Sequence, residues 1–191
     1  MSKERVLVNE EKSRVAPLKE CTFLGFHVLG KRIVLTASAE RRFKERIRYI
    51  TARSRGVSMD QRLMELRQYC MGWFHYCLIR FAQRVSSQAP RYKIGFLYKD
   101  ARYLDSWIRR RIRLCFWKDW KVPRMRRRML IKLGIERDRV KLASRSRKGY
   151  WRMSSNSLVQ MALNVKWLEE RGVPSLCKLW AIFKYGDKAQ V

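Results

Sequence analysis

Nineteen residues, Tyr103 to Lys121 (YLDSWIRRRIRLCFWKDWK), constrain this chain more than any other stretch. They hold six basic side chains and three of the seven tryptophans. Drawn as a helix at about 100° per residue, the stretch sorts into two faces. Leu104, Ile108, Ile112 and Cys115 gather on one side, with Trp107 and Leu114 beside them. Arg109, Arg110, Arg113, Trp117 and Trp120 gather on the other. The first face reads as core. The second interleaves cations with rings, which suits phosphate contact and base stacking. Arg111 falls on the core side against the pattern: it snorkels, pairs with a carboxylate, or makes a specific contact at the edge of the packed face.

Such a helix needs partners for its apolar face. With 191 residues, 47% of them hydrophobic, the chain can build a core without metals or disulfides. Forty-five Lys and Arg against sixteen Asp and Glu give a net charge of +29, spread over every segment. Charge of one sign in that amount repels itself unless a polyanion is present, so nucleic acid is the expected partner. An anionic membrane surface is the weaker alternative, because the basic helices also carry ordinary core stripes. The charged start MSKERVLVNEEKSR and the lack of an apolar run near ~18–20 residues predict a soluble, cytoplasmic chain with no membrane partner. Five cysteines form no CxxC pair and have only His27 and His75 to join them, so neither a metal nor a cofactor is expected. Cys70, Cys77 and Cys115 fall at apolar helical positions and read as buried thiols in a reducing compartment.

In chain order, Val6 to Val8 and Pro17 suggest a strand leaving a turn. Residues 20–36, ECTFLGFHVLGKRIVLT, form two β-branched and aromatic runs around Gly30-Lys31, the pattern of a β-hairpin. Gly25 within the first run marks a bulge or a close approach by another backbone, a strained strand being as good an account as a ligand contact. A helix over roughly 39–54 follows, capped by Ser38, with Phe43, Ile47 and Ile50 on one face and Arg41, Arg42, Lys44, Arg46 and Arg48 on the rest. Ser58 and Gln61 make a capping box for a second helix, whose stripe of Met59, Leu63, Leu66, Cys70, Phe74, Cys77 and Phe81 reads as core. Residues 84–98 predict a loop. The fold class expected is therefore mainly α: a short N-terminal hairpin, a three-helix bundle and a small helical C-terminal extension.

In that extension Arg124, Arg126, Arg127 and Arg128 open a helix that ends at Gly134, and ERDRVKLASRSR makes another. The arginines form either a solvated face or an RNA contact. Arg145, Arg147, Lys148, Tyr150, Trp151 and Arg152 crowd a predicted loop, SRSRKGYWRMSSNS, where cations beside rings suit single-strand or junction binding. Equally, Tyr150 and Trp151 anchor that loop to the core. LVQMALNVKWLEERG predicts a last amphipathic helix, and PSLCKLWAIFKYG docks or frays after it.

The order NEEKSR, FLGF, a basic helix ending in SRG, a helix containing GWFHY, LDSWIRRRIR with WKDWK, then RKGYWRMS and GVPSL resembles the C-terminal part of bacterial group II intron reverse transcriptase/maturases, from about Asn9 to Leu176. The resemblance implies three regions: residues 1–36 as the end of a polymerase palm, 37–121 as a helical thumb or maturase-specific domain, and 122–191 as a basic nucleic-acid-binding extension. It implies that Phe23, Leu24, Gly25 and Phe26 correspond to a primer-grip hairpin and that Lys12-Ser13 correspond to the tail of a polymerase motif. It also implies structured group II intron RNA as partner, with a DNA target or RNA–DNA duplex in addition.

The family's fingers and its Tyr-Ala-Asp-Asp loop have no counterpart here, and polymerase chemistry needs clustered carboxylates around two metal ions. The chain is therefore expected not to be an enzyme on its own. It is expected to bind intron RNA through Arg109, Arg110, Arg113, Trp117, Trp120, Arg145, Lys148, Tyr150, Trp151 and Arg152, and so to assist folding and splicing. The alternatives are a thumb subunit completed by a separate finger-palm chain, or a truncated remnant.

Overall fold

The computed structural model describes residues 22–23, 25–29, 32–76, 93–94 and 98–185. The strands are β1 (Thr22–Phe23), β2 (Phe26–Leu29), β3 (Arg32–Leu35) and β4 (Lys93–Ile94), in the sheet order β1-β2-β3-β4. β2 and β3 pair antiparallel with Leu29 opposite Arg32, so the expected hairpin forms around Gly30-Lys31. The expected bulge at Gly25 is instead a turn. β1 and β2 pair with Phe23 opposite Phe26, and Gly25 holds a φ of 86° between them. A Cβ there would stand 3.0 Å from the Ala39 Cβ, and the Gly25 carbonyl accepts from the Thr36 N–H at 2.9 Å. Backbone conformation and close approach both require glycine. Within the predicted 84–98 loop, Lys93–Ile94 adds β4 alongside β3 in parallel. Lys12, Ser13, Leu24 and Cys77 lie outside the described residues.

The helices described are α1 (Ala37–Ile50), α2 (Met59–Phe74), α3 (Tyr98–Asp119), α4 (Pro123–Lys132), α5 (Arg137–Ser144), α6 (Tyr150–Met153), α7 (Ser157–Ala162), α8 (Val165–Glu170) and α9 (Leu176–Tyr185). Thr36, not Ser38, caps α1: its hydroxyl accepts from the Ala39 N–H at 3.1 Å. Either residue has the right side chain, but Leu35 ends β3, and Thr36 is where extended backbone turns into helix. Ser58 caps α2 as expected, accepting from the Gln61 N–H at 3.2 Å. Pro123 opens α4 and Gly134, at a φ of 86°, closes its final turn.

Two cores result. The first collects Phe43, Ile47 and Ile50 of α1, Leu63, Leu66, Cys70 and Phe74 of α2, and Ala101, Leu104, Ile108 and Ile112 of α3. Phe43 packs against the ring of Trp73 at 4.1 Å and that of Tyr69 at 5.6 Å. This is the expected three-helix bundle, but Leu168, Val173 and Leu176 return to it from the far end of the chain. The second core joins Trp117 and Trp120 to residues of α4 through α7. α3 thus runs through both, and Phe116, edge-on to Trp167 at 5.2 Å, touches both. The division between cores falls inside α3, between Ile112 and Trp117.

The predicted helix LVQMALNVKWLEERG is two helices. At its middle the Leu163 carbonyl accepts from the buried Arg113 Nε at 2.9 Å, and the Asn164 side chain accepts from the Trp167 N–H at 2.9 Å. An intruding guanidinium and a new N-cap break the ladder together. α9 docks on α3 rather than fraying: buried Asp105 accepts from the Leu176 N–H at 2.8 Å, the Cys177 N–H at 3.1 Å and the Ser175 hydroxyl at 3.0 Å. LDSW and GVPSL, seventy residues apart, are thereby the two halves of one joint.

Candidate nucleic-acid interface

The site is built from the C-terminal end of α1. A helix ends with unpaired carbonyls and a partial negative charge, and here guanidinium groups take up those of Arg48 and Ile50 and the two that follow, Thr51 and Ala52. Buried Arg62 donates from Nη1 to the carbonyls of Ile50 at 3.0 Å and Ala52 at 2.8 Å. Arg55 donates to the Ile50 carbonyl at 3.2 Å and forms a two-pronged pair with Glu65 at 2.8 and 3.1 Å. Arg111 is the out-of-pattern residue of α3, and of its three sequence alternatives it takes the specific contact. Its Nε donates to the Thr51 hydroxyl at 2.8 Å, and its Nη2 donates to the carbonyls of Arg48 and Thr51, both at 3.3 Å. α1 ends at Ile50, short of the expected 54: Thr51 leaves the helical conformation (φ −94°, ψ 16°), while its hydroxyl donates to the Ile47 carbonyl at 2.6 Å.

Beside this helix end lies an open groove of about 810 Å³. Arg48, Ala52, Arg53 and Ser54 line it from α1 and the turn that follows. Arg111, Leu114 and Lys118 contribute from α3, and Gly149, Tyr150 and Trp151 from the start of α6. Four of these ten residues are cations and none is a carboxylate. Among the described residues Arg48 and Arg53 form no ion pair, while Lys118 stands 3.8 Å from Asp119. Burial, together with the charges of Arg48 and Arg53, pushes the Arg111 guanidinium below its ordinary range. Repulsion among fixed cations around a concave surface is relieved by an anion, which makes the groove an anion-binding geometry.

The predicted aromatic-basic loop is a loop over residues 145–149 and a turn of helix over Tyr150–Met153. Gly149 leads directly into α6, whose Met153 is buried in the second core. Arg110 lies over the Trp151 ring at 3.9 Å and donates from Nη2 to the Trp151 carbonyl at 3.2 Å. Arg53 stands over the Tyr150 ring at 5.4 Å. Trp151 remains 39% exposed, and Arg152, Lys148 and Arg145 are exposed around it. Arg110, Tyr150 and Trp151 therefore come together from two distant stretches, with both rings on the groove.

Other expected contacts are placed elsewhere. Trp117 (0% exposed), Trp120 (5%) and Arg113 (7%) are buried, not on a solvent face. A second layer, α4 to α7, covers that side of α3, a fact the periodicity of α3 alone does not contain. Trp117 and Trp120 pack edge to face at 6.0 Å, and Arg126 caps the pair from outside, 4.9 Å over Trp117. Burial lowers the Arg113 guanidinium to about 10, and the Arg109 charge adds to the shift. Arg109 itself turns to Asp105 at 3.6 Å. Phe26 is buried and Gly25 packs on Ala39 in the first turn of α1, about 14 Å along the helix from Arg48 of the groove at 1.5 Å per residue.

Sequence reasoning missed Arg48, Arg53 and Lys118 as groove residues. The signal was the basic run RYITARSR at the end of an amphipathic helix, which could have been taken as a helix terminus studded with cations. Among the described residues no group of three His, Cys, Asp or Glu side chains is placed to hold a metal ion, and no helix is long and apolar enough to cross a membrane. No protein-family model matches the chain, and no curated protein matches it.

Proposed function

We propose that this chain is a thumb and maturase-type module of the group II intron reverse transcriptase kind, binding structured intron RNA and favouring its splicing-competent fold. One observation carries the reading: the groove at the end of α1 gathers four cations and two aromatic rings with no carboxylate in its lining. Phosphate contacts fix a protein's position on RNA, and rings accept the unstacked bases that folded RNA displays. A protein that binds the folded RNA better than the unfolded one shifts the equilibrium by its differential affinity, so the intron supplies the chemistry and the chain supplies binding. The motif order from Asn9 to Leu176 supports the choice of intron RNA over other polyanions, and the joint between LDSW and GVPSL gives two of those motifs a common structural reason.

The test is affinity for a folded group II intron RNA and for an unrelated structured RNA of the same length, side by side across a salt series. The expected result is a preference for the intron that persists at high salt. Changing Arg48, Arg53 and Lys118 to Gln should weaken binding and lower the salt slope by about two to three phosphate contacts. Arg113 is left out of this set because it is buried. Equal affinities with matching steep slopes would mean that the chain acts as a polycation, and would refute the proposal.

A further inference from the structure

We infer that the groove is a subsite for one unstacked nucleotide of an RNA strand, its phosphate held at Arg48, Arg53 and Lys118 and its base set against Trp151 and Tyr150. This deepens the RNA-binding proposal and rests on it. The geometry argues against a track for a duplex backbone. The groove's volume, about 810 Å³, falls in the range of small-ligand clefts, about 300–1,000 Å³. A duplex presents its phosphates on a convex surface and keeps its bases stacked inside, so it would leave both rings of the groove unused. A flipped or bulged nucleotide uses both chemistries at once.

The partners are also held in place before any ligand arrives. Arg110 covers one face of Trp151 and ties down its carbonyl, which fixes the ring and leaves the indole 39% exposed. α6 is anchored beneath by Met153. Arg111 is spent on the Thr51 hydroxyl and on the carbonyls of Arg48 and Thr51, so it holds the α1 terminus in position for the phosphate-binding cations. A stack of base on ring contributes enough, by itself, to separate a bulged RNA from a paired one.

Gly149 makes the idea testable. It lines the groove with an ordinary backbone (φ −57°, ψ 154°), and a Cβ built there meets nothing within 4 Å. A side chain added there therefore starts out in groove space, its Cβ clear of protein atoms. The experiment measures, by fluorescence anisotropy at fixed salt, the full chain's affinity for an RNA hairpin with a single-nucleotide bulge and for the same hairpin fully paired, with inorganic polyphosphate as competitor. Wild type should prefer the bulged hairpin by about tenfold. Gly149→Leu should abolish the preference, lowering the bulged hairpin's affinity more than the paired hairpin's, at an unchanged melting temperature. Arg53→Gln, at an exposed position, should abolish it too, and keeps the test valid if the glycine variant misfolds. Equal binding of the two hairpins by wild type, or a preference that survives both substitutions, would overturn the subsite while leaving RNA binding in place. Polyphosphate displacing both hairpins as readily as unlabelled RNA does would overturn the RNA reading itself.

Discussion

Asp105 is the residue whose loss the structure prices most clearly. It sits on α3 at 1% exposure and accepts three hydrogen bonds from the start of α9: the N–H groups of Leu176 and Cys177 and the Ser175 hydroxyl. Asp105→Ala strands all three donors. The Leu176 amide is buried, and leaving such a donor unmade costs about 1–3 kcal/mol. Ser175 and Cys177 are half-buried and recover part of their bonding from water, so together they add roughly 1 kcal/mol. The sum, about 3 kcal/mol, corresponds to a fall of ~6–12 °C in Tm for a chain of this length. Thermal melting followed by circular dichroism measures it, and hydrogen exchange locates it: α9 amides should lose protection before those of α2. A Tm within ~1 °C of wild type, or protection lost evenly across the molecule, would refute the assignment of Asp105 as the joint that docks α9.

Arg111→Ala should cost about 1–2 kcal/mol in urea unfolding, because it removes a side chain that satisfies three acceptors at the end of α1; no change would mean that water serves those acceptors equally well. Trp117→Ala should destabilise by about 3–5 kcal/mol, as expected for an aromatic side chain lost from a packed core. If it instead weakened RNA binding at unchanged stability, its place in the core would be wrong. Burial and the nearby Asp105 push the Cys70 thiol up to about 12, and the same two causes push Cys177 up to about 11. A thiol raised above its ordinary 9 contributes stability that is complete below pH 9 and is lost as pH rises from 9 toward these values. Cys70 should therefore alkylate far more slowly in the native protein at pH 8.5 than in urea, and equal rates would contradict its burial.

The sequence by itself determined the element types where one periodic face faces one core. Phe43, Ile47 and Ile50, then Leu63, Leu66, Cys70 and Phe74, are apolar at helical spacing and buried as their spacing required. The hairpin around Gly30-Lys31 and the Ser58 cap were legible for the same reason: each is a local pattern whose partner lies within a few residues. The sequence also singled out the groove's rings, Tyr150 and Trp151, but took α3's contribution from the face of Trp117 and Trp120 rather than from that of Arg111 and Lys118. Tertiary structure decided that side, because α3 runs through both cores and its Trp117 and Trp120 face the second. It also decided which cations remain available. Arg62, Arg111 and Arg113 are chemically the same as Arg48 and Arg53, yet the first three are spent on carbonyls made acceptors by a helix end or a helix break. Where a guanidinium goes depends on which unpaired carbonyl lies within reach, and for Arg111 and Arg113 that is set by contacts fifty to sixty residues away in sequence, which no local pattern encodes.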